Sequence, residues 1–215
     1  MINKENALIE SLKDQPILVV LRLKETNLEV LHDGTPLYPF ISLLNKYGIK
    51  NIEIAWSSNN QWIETMGSLM SRFSNIFWGA ASINTPEALN SVKELNLNYA
   101  MSPVFDIELQ NKARSINQLL IPGVFSPTEM QYAKKYGCKI VKLFPASILG
   151  IQYLNQISTP LEMVPFTIAA GGLSTRDLEP WLKAGYGAVA LGRNLIIKDE
   201  IDSHMKKWLS KNKLQ

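Results

Sequence analysis

Lys142 stands in the run Lys139-Ile140-Val141-Lys142-Leu143-Phe144-Pro145, where the two residues on either side are all apolar. Burying an ammonium in such a run is costly, so the amine has a lowered pKa and is partly neutral near pH 7. A neutral primary amine attacks carbonyl carbon, and the Schiff base that results withdraws electrons from the adjacent carbon. The competing reading is a lysine that snorkels to solvent or pairs with a carboxylate. Glu53 is the second candidate, in Asn51-Ile52-Glu53-Ile54-Ala55-Trp56. Strand alternation puts Asn51, Glu53 and Ala55 on one face and Ile52, Ile54 and Trp56 on the other. An enclosed carboxylate relays protons to and from a carbinolamine, directly or through a water; otherwise it is a structural partner for Lys142 or Arg22. A third feature is Gly171-Gly172 before Leu173-Ser174, together with Gly192-Arg193-Asn194. Glycines let backbone N–H groups approach an anion such as phosphate at a helix start, although a tight turn needs glycines too.

The elements that must position these groups alternate between short β-branched runs and longer segments with helical spacing, the pattern of βα units on a parallel sheet. Strands are expected over residues 17–22, 51–56, 76–81, 99–102, 119–122, 139–144, 166–170 and 188–191. Thr85-Pro86-Glu87 and Ser126-Pro127-Thr128-Glu129 read as helix starts, with a capping residue before a first-turn proline, and Ser174-Thr175-Arg176-Asp177 as a third start. Gly48, Gly137 and Gly185 mark helix ends. Eight units in 215 residues predict a trimmed TIM (β/α)8 barrel with an N-terminal helix, all of residues 1–215 forming one domain, against roughly 250 residues for a typical barrel. In such a barrel the working groups sit at the C-terminal ends of the strands, and the loops after strands seven and eight often hold phosphate. The one generous connection, residues 24–39, is where an added lid or subunit contact is expected.

Composition narrows the function classes. Hydrophobic residues make up 46% of the chain, enough for a large core, and 22 Lys+Arg against 19 Asp+Glu leave a net charge of only +3. That is too small for a general nucleic-acid or membrane footprint, so a small-molecule substrate is expected, with no nucleic-acid and no membrane partner. A single cysteine, Cys138, and two distant histidines, His32 and His204, exclude a disulfide framework and a local metal-ligand cluster; metal-free, cofactor-free chemistry in the cytoplasm is expected. Residues 1–15 have the amphipathicity of a helix and not of a secretion signal. The lysine-rich tail, residues 198–215, reads as a terminal helix with a solvated face, the alternative being an anionic partner.

Taken together these residues resemble the class I aldolases that cleave 2-keto-3-deoxy-6-phosphogluconate and 4-hydroxy-2-oxoglutarate. The resemblance runs from about Ile17 to Ile197, and its most specific part is Val141-Lys142-Leu143-Phe144-Pro145-Ala146, similar to the family's Lys-Phe-Phe-Pro-Ala. Ile121-Pro122-Gly123-Val124, Ser102-Pro103, Gly79-Ala80-Ala81-Ser82 and Gly171-Gly172-Leu173-Ser174 match further family segments in order. The resemblance implies Lys142 as the Schiff-base lysine and Glu53 as the acid/base group. It implies a substrate site made by Arg22, Ser82, Pro103, Gly171, Gly172, Ser174, Gly192 and Arg193, and a homotrimer. Ser82 and Thr85 either hydrogen-bond a substrate hydroxyl or serve the loop and cap.

Several positions depart from the family. Ser57 replaces the arginine that follows the glutamate by four residues and holds the pyruvate carboxylate, so Arg22 or a backbone donor must take over that bidentate contact. Ser147 replaces a glutamate, and Arg193 a serine of the phosphate turn. Ala81 and Val104 replace glycines near the mouth, where an added Cβ narrows the opening or shifts a loop.

The expected reaction is aldol cleavage of a 2-keto-3-deoxy (6-phospho) sugar acid or 4-hydroxy-2-oxoglutarate to pyruvate and an aldehyde. The alternatives are a diverged phosphate-binding barrel acting as a sugar-phosphate isomerase or epimerase, or a non-catalytic ligand-binding module in which Lys142 and Glu53 survive as a buried ion pair.

Overall fold

The computed structural model describes residues 2–23, 37–59, 61–197 and 200–212. Its strands are β1 (Ile17–Leu21), β2 (Asn51–Ala55), β3 (Phe77–Ala81), β4 (Tyr99–Met101), β5 (Leu120–Ile121), β6 (Gly123–Val124), β7 (Ile140–Leu143), β8 (Phe166–Ala170) and β9 (Ala188–Leu191). All pair in parallel, in the order β5-β4-β3-β2-β1-β9-β8-β7-β6. The two ends of that order are neighbours in the chain, separated only by Pro122. Ala100 and Ser102 N–H donate to Leu119 and Ile121 carbonyls on one side, and Lys142 and Phe144 N–H donate to Pro122 and Val124 on the other. One short run therefore serves both edges and closes the sheet into the expected TIM-like α/β barrel. Proline, which has no N–H, sits where the strand changes partner.

Helices α1 (Ile2–Asp14), α2 (Tyr38–Lys46), α3 (Gln61–Arg72), α4 (Pro86–Glu94), α5 (Ile107–Ser115), α6 (Pro127–Lys135), α7 (Ala146–Leu149), α8 (Tyr153–Ser158), α9 (Leu178–Lys183) and α10 (Ser203–Lys211) surround the strands. Thr85 caps α4 by accepting from Ala88 N–H, and Ser126 and Glu129 form a reciprocal capping box at the start of α6. The third expected start is displaced. Ser174 N–H and hydroxyl both donate to the Asp177 carboxylate at 2.7 Å, which builds a turn, and α9 begins only at Leu178.

Alternation divides each strand between two apolar layers. Ile52, Ile54 and Val141 point outward into the main core against the helices, whereas Leu18, Tyr99, Met101, Ile140, Ile168 and Ala188 fill the barrel. Leu8 and Leu12 of α1 belong to the inner layer, so α1 closes the N-terminal end of the barrel. It is tied there by polar contacts: Lys4 to the Leu97 carbonyl, Ser11 to Asn51, and Glu5 accepting from Lys139 N–H. With that end closed, an interior cavity can open only at the C-terminal end.

Residues 24–36 of the long connection after β1 lie outside the described residues. The tail differs from a plain terminal helix. A 3-10 turn (Arg193–Leu195) leads into an antiparallel pair, β10 (Ile196–Ile197) and β11 (Glu200–Ile201), before α10. Asp202 starts α10 by accepting from His204 and Met205 N–H, and Met205 and Leu209 are buried beneath it.

Candidate active site

A cavity of about 340 Å³ opens at the C-terminal end of the barrel. Arg22, Ser82, Phe144, Gly171 and Gly192 line it from the residues immediately after β1, β3, β7, β8 and β9, and Glu53, Lys142, Ala170 and Ala190 line it from within the strands. This is the geometry that parallel barrels impose: inward side chains form the floor and the following loops form the rim.

Lys142 is 8% exposed and Glu53 1% exposed, Glu53 on the face that alternation separates from Ile52 and Ile54. Both line the cavity, from β7 and β2, yet no hydrogen bond or ion pair within 4.0 Å joins them among the described residues, and Glu53 Oε1 has no hydrogen-bond partner. Burial lowers the Lys142 pKa. The Glu53 carboxylate opposes that shift, and the Arg22 guanidinium adds to it. Burial pushes the Glu53 carboxyl up from its ordinary 4.5 to about 7, with Lys142 pulling it back. Glu53 thus has accessible charged and neutral forms near neutral pH, as a proton carrier requires, and burial shifts Lys142 toward the neutral amine that a nucleophile requires. The Lys142 Nζ also lies 5.3 Å from the centre of the Phe144 ring.

The cavity gathers most of the sequence-predicted residues. Arg22, Ser82, Pro103, Gly171, Gly172 and Gly192 all line it. Arg22 Nη1 donates to Ser82 Oγ at 3.4 Å, and Ser82 holds a left-handed backbone with φ of 63°, a conformation that a non-glycine residue adopts at a cost of about 1–3 kcal/mol. Gly171 and Gly172 have φ of 94° and 76°, and a Cβ would meet the Phe144 ring at 2.9 Å at the first and Ser147 Oγ at 2.1 Å at the second. Both conformation and close approach therefore demand glycine here.

Ser174 does not line the cavity, because its N–H and hydroxyl are committed to Asp177. The Arg193 side chain lies outside the described part of the structure. Ser57, where the arginine was expected by resemblance, accepts from Asn59 N–H and is not among the lining residues, whereas Arg22 is. Ala81 lines the cavity, as its Cβ led us to expect; Val104 does not, being 51% exposed. Asn194 and Leu173 also line it. Asn194 was signalled only by its place two residues after Gly192. Cys138, half-buried with its thiol pushed up to about 11 chiefly by burial, is not poised as a thiolate. Among the described residues no helix is long and apolar enough to cross a membrane.

Comparison with known proteins gives a consistent result. The family model described as "Aldolase: KDPG and KHG aldolase" matches residues 8–210. The chain is 25% identical to the 2-dehydro-3-deoxy-6-phosphogalactonate aldolase of Escherichia coli (strain K12) over 149 residues, 69% of this chain and 72% of that one. It is 24% identical to the KHG/KDPG aldolase of the same organism over 168 residues, 78% and 73% of the two chains. Its fold is similar to the KDPG aldolase from Legionella pneumophila "with pyruvate captured at low pH as a covalent carbinolamine intermediate", with a TM-score of 0.75 over 95% of each chain at 23% identity.

Proposed function

The chain belongs to the KDPG and KHG aldolase family, whose named members are carbon–carbon lyases, and on that premise we propose that it cleaves a 2-keto-3-deoxy sugar acid or 4-hydroxy-2-oxoglutarate through a Schiff base on Lys142. One observation carries the reading: a buried amine and a buried carboxyl line one cavity without pairing, the amine shifted by burial toward its neutral form and the carboxyl up to about 7.

In this mechanism neutral Lys142 Nζ adds to the C2 keto carbon, and Glu53 transfers a proton to the departing hydroxyl as the carbinolamine loses water. The protonated imine accepts the electron pair of the breaking C3–C4 bond while the C4 hydroxyl gives its proton to the Glu53 carboxylate, releasing the aldehyde and leaving an enamine. Protonation at C3 and addition of water to the imine then free pyruvate and the amine. Arg22, on the cavity rim and in place of an arginine at position 57, holds the substrate carboxylate. The glycine turns at Gly171, Gly172 and Gly192 offer backbone N–H groups to a distal phosphate. A phosphorylated substrate is therefore the first to test, and a homotrimer, implied by the family resemblance, is the expected assembly.

The test is borohydride reduction in the presence of pyruvate, read by peptide mass spectrometry, beside a pyruvate-release assay with 2-keto-3-deoxy-6-phospho sugar acids and 4-hydroxy-2-oxoglutarate. An irreversible adduct on Lys142, absent after Lys142→Met, together with pyruvate release supports the reading. Turnover of a sugar phosphate without an adduct would transfer the chain to isomerase or epimerase chemistry. Thermal stabilisation by a ligand with neither turnover nor adduct would make it a binding module.

A further inference from the structure

Glu53, Gly79 and Tyr99 form one row across three adjacent strands: Glu53 pairs in register with Gly79, and Gly79 with Tyr99. Gly79 carries no side chain, and the space a Cβ would need is already occupied. An ideal Cβ would fall 2.3 Å from Tyr99 Cζ and 2.8 Å from its hydroxyl oxygen. The phenol thus reaches from β4 across β3 on the side of the row where β2 carries Glu53. Stacking on Phe77, with ring centres 5.9 Å apart, fixes the ring in that pose.

Tyr99 is completely buried, and its hydroxyl has no hydrogen-bond partner; Glu53 Oε1 is buried and has none either. A phenylalanine would make the same ring contacts without the cost of dehydrating a hydroxyl, so a buried hydroxyl in this position calls for a use. Burial first, and then the nearby Glu53 carboxylate, hold the phenol in its protonated form, which makes it a donor. Among the described residues the ionisable groups acting on Glu53 and its surroundings are Lys142 from β7, Arg22 after β1 and Tyr99 from β4. Asn51, inward on the same strand as Glu53, is engaged with Ser11 and with the Gln15 carbonyl.

We propose that Tyr99 is a positioning residue for Glu53: its hydroxyl donates to the Glu53 carboxylate through one water, and so holds that side chain in place and sets the pH at which it takes up a proton. The proposal borrows from the preceding reading only that Glu53 carries protons in the reaction. Donation to the charged form favours it, so removal of the hydroxyl raises the Glu53 pKa.

The experiment is an infrared titration of the Glu53 carboxyl band without substrate, with Glu53→Gln assigning the band, in the wild type and in Tyr99→Phe. The midpoint is expected to rise by about one pH unit in Tyr99→Phe, and the acidic limb of kcat/KM to move with it. A midpoint unmoved in the folded variant overturns the proposal and leaves Tyr99 as packing beside Gly79. If Tyr99→Phe does not fold, 3-fluorotyrosine introduced at position 99, a stronger donor, is expected to move the midpoint down, and an unchanged midpoint overturns the proposal equally. Because the band is read without turnover, a shifted midpoint in a chain that forms no imine would refute only the aldolase reading. An active aldolase with an unmoved midpoint would refute only the role of Tyr99.

Discussion

Glu53→Gln is expected to abolish turnover and at the same time stabilise the fold above neutral pH. Burial carries the Glu53 carboxyl from its ordinary 4.5 to about 7. Between those values the folded state keeps the proton and the unfolded chain has released it, so stability falls as pH climbs from 4.5 to about 7 and stays low above. A rise from 4.5 to about 7 at 1.36 kcal/mol per unit corresponds to about 3 kcal/mol. Glutamine has no such proton. Relative to wild type, the variant therefore gains about 3 kcal/mol between pH 4.5 and 8, or roughly 6–12 °C in Tm for a chain of this size. The assay is urea denaturation of both proteins across this pH range, followed by tryptophan fluorescence. A stability difference that stays constant with pH would show that Glu53 does not titrate as a buried carboxyl and would refute the reasoning.

Three further outcomes are expected. Gly172→Ala should lose about 1–2 kcal/mol for its left-handed backbone and a further 1–3 kcal/mol, roughly, for the Cβ driven against Ser147 Oγ; Ser147→Gly in the same chain should recover the second part only, as measured by urea midpoints. Arg22→Ala should raise KM for keto acids about 10- to 100-fold, the loss of a charge-assisted hydrogen bond, with kcat changed much less; steady-state kinetics showing an unchanged KM would assign the carboxylate to backbone donors. Ser126→Ala removes a capping box and should cost about 1 kcal/mol of stability without changing KM.

Much of the barrel is legible in the sequence because its signals are local. A period of two puts Glu53 on one face and Ile52 and Ile54 on the other, and each of the eight expected strands is found within a residue of its bounds, with Gly123–Val124 added after Pro122 as a strand not foreseen. The caps at Thr85 and Ser126 are equally local, since donor and acceptor are three residues apart. Ser174 shows where local signals stop: a serine with an acid three residues later builds a helix start or a free-standing turn with the same hydrogen bonds, and here it builds the turn. The antiparallel pairing of Ile196–Ile197 with Glu200–Ile201 is hidden in the same way, its second strand lying in the tail that reads as helix.

The sequence alone determined which residue types alternate inward, and with that a buried amine and a buried carboxyl suited to imine chemistry. Only the tertiary structure decided that the two line one cavity unpaired, that Arg22 lines it where Ser57 does not, and that Tyr99 reaches across Gly79 beside Glu53. The physical reason is that alternation is set by each residue's own backbone, whereas closure, register and the burial that shifts a pKa arise from hydrogen bonds and packing between strands far apart in the chain.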